Sequence, residues 1–242
     1  MAFFGVPNYV NPTPFFVPQA NQIANSKGQY LGRFGKKAVR VTLQDMVVFA
    51  LLIEIGVTSD YDMHKGYNYL TGNNSGNTTQ DPNVSAGFVN NLVFYLRTLK
   101  VPPRRNIIDP DVIAGEQLFD SIKCNSCHVS TFTTPQSDIA ALSNQTFHPF
   151  SDFLLHDMGS ALDDGFPEGS AQSFQWRTAP LWGLGLASNS QGGNLFLLHD
   201  GRATSIEAAV SFHGGEAVGR AQSFFGLSDA ERAQIVKFLM SL

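Results

Sequence analysis

SIKCNSCHVS, residues 121–130, holds both cysteines of a 242-residue chain, and a histidine follows the second one directly. Cys124 and Cys127 stand two residues apart, with His128 next to Cys127. Covalent haem attachment needs two sulfurs that reach two vinyl groups on one porphyrin edge, and an imidazole beneath the iron. Cys-x-x-Cys-His supplies all three groups on one turn, with His128 as the proximal ligand. Three other readings compete. A thioredoxin-like dithiol needs a βαβ setting, which the sequence lacks. A structural zinc site needs four ligands, and there is no second cysteine pair. A disulfide across two residues closes too small a loop to stabilise much. The motif favours haem c, one group, covalently bound, over these alternatives.

The composition agrees with a globular domain. Hydrophobic residues make up 43% and charged residues 15%, and the length is ample for a core. Twenty phenylalanines supply large apolar surfaces suited to lining something flat. The net charge of −4, with no long basic face, argues against a nucleic-acid partner. The most apolar run, MVVFALLIEIGV at 46–57, is too short for a membrane span and contains Glu54. The N-terminal MAFFGVPNYVNPTP has no basic start, and its prolines interrupt any apolar helix, so it does not read as a signal peptide.

The first forty residues read as coil. Periodicity and capping signals predict helices at 42–55 (Thr42 and Asp45 at the start, Gly56 at the end), 84–99, from Pro110 to about Phe119, 205–213, and from Ser228 to the C-terminus. LTGNNSGNTTQDPN at 70–83 reads as a long polar loop, and 129–198 as turns with few strands. The expected class is mainly α, a c-type cytochrome-like haem domain with long loops, preceded by a helical and coil segment. Residues 106–242 form the haem domain in this reading, and 1–105 a partial N-terminal region.

IAGEQLFDSIKCNSCH at 113–128 and SDAERAQIVKFLMSL at 228–242 resemble the first and last helices of a c-type cytochrome, which cross closely, so Gly115 is expected at the crossing. HPFSDFLLHDMGSALDDG at 148–165, FQWRTAPLWGLG at 174–185 and NLFLLHDGRATSIEAAVSFHGGEA at 194–217 resemble the di-haem oxidoreductase family of peroxidase-like enzymes. That family is also called thiol oxidoreductases and is similar to bacterial di-haem cytochrome c peroxidases. GRFGKKAVRVTLQDMVVFALLIEIGVTSD at 32–60 resembles the family segment between its two haem motifs. This chain carries only the second motif. The expectation is the C-terminal portion of a longer exported chain, with 1–105 as the remnant of a first haem domain; a single-haem variant is the alternative. The resemblance implies a periplasmic or otherwise extracytoplasmic bacterial protein, with a redox partner protein or a second haem domain as its electron partner.

The sixth iron position divides electron carriers from peroxide-binding haems. Candidates are His64, His148, His156, His199, His213, Met46, Met63 and Met158. In the related peroxidases, a methionine ligand follows the His of an HDG turn by fourteen residues. Here the turn begins at His199, and the equivalent position is His213. His213 is the preferred ligand and Met158 the alternative; a His213 that merely interacts with a helix dipole is the plain reading. Arg177 could fork onto a haem propionate, or simply be a surface arginine. Trp176 or Trp182 could pack on the macrocycle. Asp163 and Asp164 read as a solvated turn rather than a metal loop. Two rivals to electron transfer remain: a peroxide-reducing haem with His156 or His199 as acid–base group, and a haem-free dithiol protein.

Overall fold

A computed structural model describes residues 5–19, 21–62 and 81–242. His64 and Met63, two of the candidate ligands, lie outside the described residues, as does the polar loop up to residue 80. The chain divides into two compact units, one of residues 8–99 and the other of residues 1–7 with 100–242.

In the first unit, β1 (Tyr9–Val10) pairs antiparallel with β2 (Tyr30–Leu31). Helix α1 (Leu43–Ile55) begins where the sequence signals it. The Thr42 hydroxyl accepts from Asp45 N–H at 3.0 Å, and the Asp45 carboxylate accepts from Val41 N–H at 3.2 Å. It ends at Gly56, whose φ of 69° is the left-handed conformation that a helix stop requires. Helix α2 (Ala86–Arg97), capped by Ser85, packs on α1 through Val47, Val48 and Val89.

The second unit is organised by α3 (Pro110–Ser121) and α7 (Asp229–Leu239). Asp109 caps α3 and Pro110 occupies its first turn; Ser228 and Glu231 form a reciprocal capping box on α7. The two helices cross at Gly115. A Cβ built there would overlap the Gln234 carbonyl oxygen and lie 2.6 Å from its carbon and 2.9 Å from Phe238 Cβ. Because the obstacle is backbone, it cannot swing away. Gly115→Ala should therefore cost about 1–3 kcal/mol in urea unfolding, the range of overpacked cores, despite alanine's better helix propensity. Gly87→Ala in α2, where a Cβ meets only Ser85 Oγ at 3.6 Å, should be neutral or slightly stabilising. Equal midpoints for the two variants would contradict the crossing.

The expectation of a mainly α, cytochrome-like class does not hold. Among the described residues 37% are helical and 11% strand, a mixed architecture with seven α-helices. β3 (Phe132–Thr133) pairs with β4 (Thr146–Phe147), and β5 (Leu155–Asp157) with β6 (Gln175–Arg177), both antiparallel. Val6 adds to the edge of β5 by exchanging two backbone bonds with Leu155 at 2.8 and 2.9 Å. Short helices α4 (Ala187–Ser190), α5 (Ile206–Ser211) and α6 (Val218–Phe225) complete the unit. The physical reason is local. The segment from 129 to 205 must satisfy its backbone polar groups, and it does so in ladders of two or three residues. Strands that short leave no two-residue alternation to read.

The core of this unit joins Val112, Phe119, Phe150, Ile206, Phe224, Ile235, Phe238 and Leu239. Phe238 meets Phe119 and Phe150 edge-on, with centroids 5.4 and 5.6 Å apart. Cys124 packs against this cluster, so the motif loop rests directly on the crossing helices.

Candidate functional site

The motif loop starts where α3 stops. Lys123 takes a left-handed φ of 66°, and one tight turn covers Cys124–Ser126. The N–H groups of Cys127 and His128 both reach the Cys124 carbonyl, at 3.3 and 3.0 Å. The two thiols and the imidazole thus share one turn, and the cysteines are not joined to each other. Burial pushes the Cys124 thiol up to about 12, so it stays protonated.

His128 is held from the core side. Its Nδ1 lies 2.9 Å from the Phe150 carbonyl. Burial pushes its pKa down to about 4, so the ring is neutral at pH 7. A neutral imidazole facing a carbonyl must carry its proton on Nδ1, which leaves the Nε2 lone pair available as a ligand. Phe150 aims that carbonyl by adopting φ 51°, and Phe153 nearby sits at φ 60°. Left-handed backbone at a phenylalanine costs about 1–2 kcal/mol. The burial of the Phe150 ring in the core, 3% exposed, holds it there.

His213 repeats the arrangement. Helix α5, capped by Ser205, ends at Ser211, two residues short of the expected end, and His213 follows in a turn. Its Nδ1 lies 2.9 Å from the Ala209 carbonyl. Burial lowers its pKa, with the Ala209 bond opposing. His213 lies near enough to His128 for its charge to depress the latter's pKa further. The turn after β5 crosses the His213 loop at three glycines. A Cβ on Gly159 would lie 2.8 Å from Gly215 N, and one on Gly214 would lie 2.8 Å from the Met158 carbonyl oxygen. This crossing brings Met158 and His213, the two candidate sixth ligands, onto touching segments.

The other candidates scatter. Arg177 stands opposite Leu155 in the β5–β6 ladder, its guanidinium 6.0 Å from the Phe153 ring, and burial lowers its pKa. Trp176 stacks on His199, with centroids 3.5 Å apart and 13° between planes, and donates to the Leu162 carbonyl at 2.8 Å. Trp182 lies 6.0 Å from Phe147. His148 is exposed and bonds Thr131, and Met46 lies on α1 in the other unit. Asp163 and Asp164 accept from Gly165 and Phe166 N–H at 2.8 and 2.9 Å, which makes them turn-formers. No cluster of acids, histidines and cysteines suited to a metal ion occurs among the described residues.

Sequence reasoning weighed His156 as a ligand, an acid–base group or a packing or hydrogen-bonding neighbour of the haem, and passed over Asp152 and Glu216. His156 is 3% exposed. Its Nε2 lies 2.7 Å from the Asp152 carboxylate and its Nδ1 2.9 Å from that of Glu216, with Cys127 Sγ 3.6 Å from the same Nδ1. Burial opposes the charge, but bonds to Asp152, Cys127 and Glu216 outweigh it and push His156 up to about 10. The signal was present as Asp152 and His156 four residues apart, and Glu216 three after His213.

Residues 16–242 match the family described as "Di-haem oxidoreductase, putative peroxidase". The chain belongs to the di-haem oxidoreductase family. A search of curated proteins finds no match. A solved structure of hydrazine synthase from Kuenenia stuttgartiensis, pressurised with xenon, is similar at 19% identity and a TM-score of 0.38. The similarity covers 64% of this chain and 55% of that one, so the chain spans about half the length of that solved relative.

The residues present fit a haem group. Two unpaired sulfurs flank one turn, and two neutral imidazoles keep Nε2 for coordination because backbone carbonyls hold Nδ1. No helix of the described residues is long and apolar enough to cross a membrane.

Proposed function

We propose that this di-haem oxidoreductase chain carries one haem c, joined through Cys124 and Cys127, and passes single electrons to or from a redox partner protein or a second haem-bearing domain. His128 and His213 are the iron ligands in this reading, with Met158 the alternative to His213. Residues 106–242 carry the group in this reading. Covalent attachment of haem c places the protein outside the bacterial cytoplasm.

One observation carries the reading: two neighbouring imidazoles, each made neutral by burial, each with Nδ1 occupied by a main-chain carbonyl at 2.9 Å. The bond to the Ala209 carbonyl, a helix-end acceptor, raises the His213 pKa, and burial lowers it. When bound, the haem supplies a one-electron iron couple. The chain does the rest. Phe150 and Ala209 hold the Nδ1 protons and thereby the ring orientations. Phe119, whose centroid is 6.2 Å from that of His128, keeps water from that ring. Arg177 is the residue that would pair with a propionate in this reading.

The test is a spectrum with a haem count. The purified protein should show one covalent haem per chain in the pyridine haemochrome assay, and sharp, split α and β bands on reduction. A high-spin ferric spectrum would replace this reading with a peroxide-binding haem. The absence of a Soret band would leave a dithiol protein.

A further inference from the structure

We propose that His156 is a positioning residue of the iron site, a strut clamped between Asp152 and Glu216 that sets the spacing between the His128 loop and the His213 loop. This rests on the reading of His128 and His213 as the ligand pair, and it assigns the geometry of that pair to a residue that touches neither.

One end of the strut is tied to His128. The Asp152 carboxylate accepts from His156 Nε2 at 2.7 Å, while the Asp152 N–H donates to the Cys127 carbonyl at 2.8 Å. Ser151 N–H donates to the Val129 carbonyl at 3.0 Å, and the Phe150 carbonyl accepts from His128. Residues 150–152 therefore grip the chain on both sides of His128. The other end is tied to His213. Glu216, three residues on, accepts from His156 Nδ1 at 2.9 Å and from Asp157 N–H at 3.4 Å.

The chemistry of the bridge is demanding. Two carboxylates can be bridged by one ring only if both its nitrogens donate, so the bridging species is an imidazolium. Gln or Asn in its place would offer one donating end. The surroundings are tight: a Cβ on Gly5 would lie 2.5 Å from His156 Nε2, and one on Gly215 would lie 2.5 Å from Asp157 Oδ1. The glycines at 159, 214 and 215 allow the two loops to meet, and the strut decides how far apart they stay. A buried imidazolium with two charge-assisted bonds is costly to leave half-paired, which makes the spacing stiff.

The experiment compares His156→Leu, His156→Gln and Glu216→Ala holoproteins with wild type. The readouts are covalent haem content, the ferric spin state by electron paramagnetic resonance, cyanide binding rate and far-ultraviolet circular dichroism. All three should keep one covalent haem and unchanged secondary structure. His156→Leu should gain high-spin signal and bind cyanide about 10–100-fold faster, the range for groups that orient a metal ligand. His156→Gln and Glu216→Ala should move the same way by less, because each leaves one end of the strut paired. Variants that overlay wild type in spin state and cyanide rate overturn the proposal. Should His156→Leu fail to accumulate, Glu216→Ala decides it alone in the same two directions, since Glu216, 23% exposed, is the less buried partner and its loss leaves the Asp152 bond in place. A wild-type protein that is already high-spin removes the axial-ligand reading itself, and the strut with it; a low-spin wild type with unresponsive strut variants removes only the strut.

Discussion

Replacing Cys124 and Cys127 together by serine is expected to give a protein from which acid–organic extraction removes all haem. The wild type should keep its haem through the same treatment. The reason is covalent: each thioether joins one sulfur to one porphyrin side chain, and the hydroxyls cannot form those bonds. The two sulfurs leave the α3 end on one turn, with Cys124 against the core and Cys127 facing His156. Either single variant should retain haem through its remaining thioether. Haem that extracts completely from the wild type would refute covalent attachment and leave the dithiol reading.

His213→Ala is expected to have the second largest effect. Removal of the imidazole opens the sixth position, so the ferric spectrum should move to high spin. Cyanide should bind more than about tenfold faster, because the fraction of protein with an open iron rises from minor to dominant. The potential should shift as well, since the axial ligand is the main lever on it. Met158→Ala should leave the spectrum nearly unchanged, although Met158 sits on the segment that crosses the His213 loop. If His213 served only as a helix-end group, its loss would cost about 0.3–1 kcal/mol and leave the haem spectrum unaltered. A ferric spectrum of His213→Ala that overlays the wild type would sink the assignment, and a low-spin signal lost in Met158→Ala would transfer it to the methionine.

The local signals read well from the chain alone. Thr42 and Gly56 bound α1, Pro110 opens α3, and Ser228 with Glu231 opens α7, because caps are made by residues within a few positions of one another. Gly115 was legible through the resemblance of 113–128 and 228–242 to the crossing helices of a c-type cytochrome, and α7 is the neighbour it meets. The Cys124, Cys127 and His128 motif is equally local, and the long blocks from 148 to 217 carry the family.

What the sequence by itself determined was therefore the Cys-x-x-Cys-His motif, the family and the helices whose caps and periodicity lie within a single segment. The tertiary structure decided the rest. It replaced the expected mainly α class by a mixed one, since pairings such as Leu155 with Arg177 and Val6 with Leu155 join residues far apart in the chain and too few in a row to print a period. It chose the carbonyls of Phe150 and Ala209 as the acceptors that leave Nε2 of His128 and His213 available, and a main-chain acceptor has no side-chain letter to read. It also placed His156 between Asp152 and Glu216. Glu216 lies 60 residues from His156 in sequence, and only the crossing at Gly159, Gly214 and Gly215 brings the two together.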